Sequence, residues 1–96
     1  MARIDDYVLD VLMRDLVGHD HSVAAFLVYL QLSRHAAVAA EGAVRLSHAA
    51  LAEATGLSKR AVQNAVDHLV RRQLIEKTLA QPTAMPTYTV RTPWRR

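Results

Sequence analysis

Residues 58–64, Ser-Lys-Arg-Ala-Val-Gln-Asn, place several groups suited to nucleic-acid contact within two helical turns. A serine in this setting caps a helix, so Lys59 and Arg60 fall in its first turn, where unpaired backbone N–H groups also favour phosphate. Gln63 and Asn64 come about one turn later and carry carboxamides suited to a bidentate contact with adenine, while Arg60 could equally read guanine. Two more cations, Lys77 and Arg91, flank a turn-rich segment from which they could reach phosphate or a minor groove. The expected contact set is Ser58, Lys59, Arg60, Gln63, Asn64, Lys77 and Arg91. An ordinary solvated helix face would also be polar, and that reading stays open.

Charge supports a polyanion as partner. The chain of 96 residues carries a net +3, but residues 1–56 hold four basic against seven acidic side chains, and residues 57–96 hold eight against two. A basic half of this kind attracts polyanions. Other chemistries find little support. No cysteine is present, which excludes disulfides, Cys-based zinc sites, iron–sulfur clusters and thiol nucleophiles. His19 and His21 sit two apart beside Asp20, while His35, His48 and His68 are scattered over three expected helices. None repeats the i, i+4 histidine spacing that puts two ligands on one helical face, so no metal is expected. Ser47 and Ser58 are accounted for as helix caps, and there is no glycine-rich phosphate loop; no catalytic residue, enzyme activity or cofactor is expected. The opening "MARIDDYVLD" carries acids where a signal peptide would be basic and then apolar, which predicts a cytoplasmic protein. The most apolar run, "VAAFLVYLQL", meets Gln31, Ser33 and Arg34 before membrane-spanning length and reads as a core helix.

The elements that must position these residues follow from periodicity. Residues 4–17 place Ile4, Val8, Val11, Leu12 and Leu16 at helical spacing, and Leu9 and Met13 widen the apolar arc beyond what one partner normally covers. Two roles are open to this helix: dimerisation, or packing across the core of the same subunit. Gly18 is the expected C-terminal cap, with Asp20 or Ser22 capping a second helix that runs to about Ala40. That helix is apolar nearly all round from Val23 to Leu30, the mark of a central buried helix. "AVRLS", residues 43–47, predicts a short strand. Ser47 then caps a third helix, "HAALAEAT", and Ser58 a fourth that reaches about Gln73, with Val62, Ala65, Val66, Leu69 and Val70 as its core face. β-Branched and aromatic residues on either side of "QPTAMP", which contains Pro82 and Pro86, predict a β-hairpin. The tail "PWRR" ends the chain, and its Trp94, Arg95 and Arg96 could touch DNA or simply fray.

The third and fourth helices are separated by little more than Gly56. A helix-turn-helix motif needs such a junction, because its first helix crosses the DNA backbone while the second lies in the major groove. Ala52 is small enough for close approach, Gly56 can adopt positive φ, and Val62 faces the interhelical angle, at the intervals of four and six residues familiar in such motifs. The order of helices, short strand, helix, tight turn, helix and hairpin resembles the winged-helix family of DNA-binding domains over roughly residues 22–92. Within it, "LSHAALAEATGLSKRAVQNAVDHLVRRQLIEK" is similar to a stretch found in many bacterial transcription regulators and plasmid or phage replication proteins.

That resemblance implies a mainly α fold with a small β-sheet (α+β), a winged helix-turn-helix with an extra N-terminal helix. Residues 1–21 would form the N-terminal helix and connector, a possible dimerisation element, and residues 22–96 the winged-helix domain. The implied function is sequence-specific double-stranded DNA binding by a small transcriptional regulator or replication-associated factor, acting as a homodimer without a membrane. The tip "QPTAMP" lacks a basic residue, a departure from winged helices that insert an arginine there. Two other functions fit the same pattern: a protein-interaction winged helix whose basic face docks an acidic partner, and an architectural or RNA binder without sequence preference. In a chain with no room for a separate ligand domain, small-molecule control would need a pocket at a dimer interface.

Overall fold

The computed structural model describes residues 4–39, 42–79, 81 and 85–94. Arg3, Ala40, Glu41, Pro82, Arg95 and Arg96, which enter the sequence expectations, lie outside them.

The helix expected over residues 4–17 forms over residues 6–19, with a wider turn than expected: π-helical stretches at Val8–Leu12 and Arg14–His19 meet at Met13. The Met13 N–H bonds to the Val8 carbonyl and the Asp20 N–H to that of Asp15, each five residues back. The wider turn keeps Val8, Leu12 and Leu16 on one side, all buried, while Ile4, Leu9 and Met13 remain exposed. Gly18 is not the cap. It lies inside Arg14–His19 without a positive φ, and His21 takes the left-handed backbone instead. The side-chain ties of Asp20 and a bond from the Ser22 N–H to the Leu16 carbonyl close this end without a glycine.

Helix α1 is Val23–Val38, capped by Ser22, whose Oγ accepts from the Ala25 N–H at 3.1 Å. It buries Ala25, Phe26, Val28, Tyr29 and Leu32 against the N-terminal segment, α2, α3 and the sheet. Strand β1, Ala43–Arg45, stops two residues short of the expected end, because Ser47 already takes extended backbone as the cap of the next helix. Helix α2, His48–Thr55, ends at Gly56, with φ of +80° and its N–H bonded to the Ala52 carbonyl at 2.9 Å. Thr55 firms the junction: its Oγ1 donates to the Leu51 carbonyl and accepts from the Leu57 N–H. Leu57 packs against the core from within the turn.

Helix α3, Lys59–Arg71, turns Val62, Ala65, Val66 and Leu69 inward. It ends two residues earlier than expected. Gln73 takes the left-handed backbone, and the N–H groups of Gln73 and Leu74 bond back to the Val70 and Leu69 carbonyls, a Schellman closure that also brings buried Leu74 to buried Leu69. Val70, expected on the core face, is exposed, since the chain departs from the helix beside it.

Strands β2, Ile75–Thr78, and β3, Thr87–Val90, form the expected antiparallel hairpin, and β1 adds on the far side of β3 to give the order β1-β3-β2. Pairing Ile75 with Val90 and Lys77 with Tyr88 puts these four on one face of the sheet, toward the helices, and leaves Glu76, Thr78, Thr87 and Thr89 on the other. Tyr88 and Tyr29 are the largest fully buried side chains, and the Tyr29 hydroxyl donates to the Arg91 carbonyl at 2.8 Å. Trp94 is no frayed end: it stacks on Tyr7 at 4.6 Å and donates from Nε1 to Asp5 Oδ2 at 2.9 Å, joining the two ends of the described chain.

Candidate nucleic-acid interface

Helix α3 divides cleanly into two faces. Opposite its buried side, Arg60, Gln63, Asn64 and Asp67 recur at i, i+3, i+4 and i+7 and are all exposed, with Lys59 beside them. The local reasons are in the sequence. Ser58 Oγ accepts from the Ala61 N–H at 3.0 Å, which fixes where the helix starts and leaves the N–H groups of Lys59 and Arg60 directed out of its end. The positive φ of Gly56 sets the angle at which α3 leaves α2. Buried Val62 and half-buried Ala52 fill that angle.

Five of the seven expected contacts, Ser58, Lys59, Arg60, Gln63 and Asn64, therefore lie together on the first two turns of α3. The other two are separated from each other. Lys77 is exposed near the end of β2, on the sheet face shared with Tyr88. Its charge is felt by His48 at the start of α2, as is that of Asp67, so the hairpin, α2 and the middle of α3 converge there. Arg91 follows β3 and pairs with Glu76 on the opposite face, each about half exposed. The hairpin thus offers one uncommitted cation toward the helices and one already neutralised cation away from them.

Sequence reasoning missed two residues of this surface. Asp67 completes the exposed stripe, as the i+7 arithmetic from Arg60 would have shown; its carboxylate can accept from a cytosine amino group and repels phosphate. His48 is the second. Burial, and then the charge of Lys77, hold its imidazole below the ordinary value of 6.5 against the pull of Asp67, and its Nε2 is buried with no hydrogen-bond partner among the described residues. The neighbouring Tyr88 hydroxyl is likewise buried and unpartnered, and burial together with Asp67 pushes it up to about 12. Both groups are thus neutral in the physiological range and add no charge to the surface above them.

Behind the stripe, α3 is fastened at its C-terminal end. The Asp20 carboxylate meets His68 Nε2 at 2.8 Å and Arg72 Nε at 3.4 Å, with His19 Nδ1 at 3.2 Å. Arg72 is therefore engaged, while Arg71 stays exposed.

A family model described as a helix-turn-helix domain matches residues 22–75, from the cap of α1 to the first residue of β2. The chain belongs to the helix-turn-helix domain family. No curated protein and no solved structure matches it. The helix-turn-helix domain here is completed into a winged helix by β1 and the β2–β3 hairpin, and α3 is the second helix of its motif. The N-terminal segment and β3 fall outside the match. Among the described residues, no helix of this domain is long and apolar enough to cross a membrane.

Proposed function

We propose that this helix-turn-helix domain reads specific sequences of double-stranded DNA by laying α3 in the major groove, as a small transcriptional regulator or replication-associated factor with no catalysis of its own. The observation that carries the reading is the exposed stripe of Arg60, Gln63, Asn64 and Asp67 on a helix whose other face buries Val62, Ala65, Val66 and Leu69. Such a stripe mixes donors and acceptors in the manner base edges require, whereas binding to backbone alone needs only cations. Ser58, Lys59 and the helix N-terminus hold phosphate beside it, and Lys77 adds a contact from the hairpin. Exposed Leu9 and Met13 on the N-terminal segment support a homodimer, which would present two copies of α3 to a two-fold site.

Selection from random duplex DNA followed by gel-shift measurements tests the reading. A consensus should emerge, and Arg60→Ala or Gln63→Ala should weaken binding to it by about 1–3 kcal/mol while relaxing preference at particular base pairs. Unchanged affinity in both variants removes α3 from the interface. No binding of any duplex at low salt points instead to an acidic protein partner.

A further inference from the structure

A cavity of about 430 Å³ opens between the N-terminal segment, the second half of α1 and the residues that follow β3. No residue of α3 lines it. Sites for small molecules are concave, hold roughly 300–1,000 Å³ and combine a mostly apolar wall with a few convergent polar groups. This cavity has that make-up: Ile4, Val8, Leu30 and Ala37 supply apolar wall, Tyr29 and Trp94 supply aromatic rings, and Ser33 and Arg34 supply polar groups one residue apart on α1. The charges are unequal in availability. Asp5 already accepts from the Trp94 indole at 2.9 Å, whereas Arg34 is exposed and has no ion pair among the described residues.

We propose that this cavity is a binding site for a small aromatic carboxylate. The guanidinium of Arg34 is a planar fork that matches a carboxylate with two parallel hydrogen bonds, and the neighbouring Ser33 hydroxyl can donate a third. The ring lies against the aliphatic wall beside half-buried Trp94, whose own ring is held by stacking on Tyr7 and tilted contact with Tyr29. An apolar ligand without charge leaves Arg34 unused, and a cation meets Arg34 with only the engaged Asp5 to offset it. The site also answers how a chain of this size could respond to a small molecule without a dimer-interface pocket: the cavity lies within one subunit. An occupant touches both the N-terminal segment and the root of the hairpin, where the Tyr29 hydroxyl holds the Arg91 carbonyl.

The experiment is a titration of the full chain with 2-naphthoate, followed by ¹H–¹⁵N spectra, with 2-naphthamide as the uncharged control. Trp94 is the sole tryptophan, so its indole N–H resonance reports on the cavity directly. A saturable shift with Kd below about 1 mM is expected, the range open to a ligand of this size. The amide should bind at least about tenfold more weakly, and Arg34→Gln, a change at an exposed side chain, should cost naphthoate a similar factor. The proposal is overturned by the absence of a saturable shift, by equal binding of acid and amide, or by unchanged affinity in Arg34→Gln. It is also overturned if raising the protein concentration abolishes naphthoate binding, which would mean that a second copy covers this face. Since α3 takes no part in the cavity, these outcomes are independent of the gel-shift result.

Discussion

Asp20 reaches from the end of the N-terminal segment to the last turn of α3, and its chemistry sets a pH dependence. Hydrogen bonding to His68 first, then His19 and the charge of Arg72, holds its carboxyl below the ordinary 3.8 despite the opposing effect of burial. An ionised carboxylate only accepts, so the ring nitrogen of His68 that faces it carries a proton. A depressed carboxyl pKa contributes stability that is present above the unfolded value and is lost as pH falls through the folded one. Asp20→Asn should therefore lower the stability to urea by about 1–3 kcal/mol at pH 6, the scale of a hydrogen bond to a charged group. The gap between the two proteins should close as the solution is acidified below the ordinary carboxylate value of 3.8. A gap that persists unchanged at pH 3, or none at pH 6, would show that Asp20 does not fasten α3.

At the scale of elements, the hairpin separates two cations that look equivalent in the sequence. Lys77 and Arg91 each flank the wing, but alternation along antiparallel strands sends them to opposite faces, and Arg91 meets Glu76 there. If the wing follows the DNA backbone, Lys77→Ala should shallow the log–log salt dependence of binding by about 0.9, the effect of one phosphate contact. Arg91→Ala should change it by less than half as much, because the charge it removes is already shared with Glu76. Filter binding across a series of salt concentrations measures both, and equal losses would place Arg91 at the phosphate. The starts of the helices and the junction of the motif needed no such correction. Ser22, Ser47 and Ser58 each accept from the N–H three residues on, and Gly56 takes the left-handed turn, because caps are local devices that a few residues specify on their own.

At the scale of the whole molecule, one hydrophobic core joins the N-terminal segment to the winged helix. Val8, Leu12 and Leu16 belong to the same buried cluster as Leu51, Val62, Leu69 and Tyr88. Leu16 is fully buried, so Leu16→Ala should cost about 2–5 kcal/mol in a single unfolding transition that includes α3. Met13 is exposed, and Met13→Ala should stay within about 0.5 kcal/mol for the monomer. Urea unfolding followed by Trp94 fluorescence checks both. A Leu16→Ala protein that keeps the parent midpoint would mean that the segment folds apart from the domain.

The sequence by itself determined the number and order of the elements, the serine caps of α2 and α3, the glycine at the junction and the polar stripe of α3. Each of these depends on residues a turn or less apart, where side-chain type and helical or strand periodicity act directly. Tertiary structure decided what depends on partners far along the chain. It placed His68 and Arg72 on Asp20, Trp94 on Tyr7 and Arg91 on Glu76, pairings that no spacing encodes. It also turned the N-terminal helix into π-helical stretches whose one side faces the core, and left Val70 outside where the Schellman closure leads the chain away. The cavity beside Arg34 belongs to the same class, since its walls come from residues within 4–8, 29–37 and 90–94 and from Gly42. Such a space exists only once packing has fixed how those three stretches meet, and packing is a property of the whole chain.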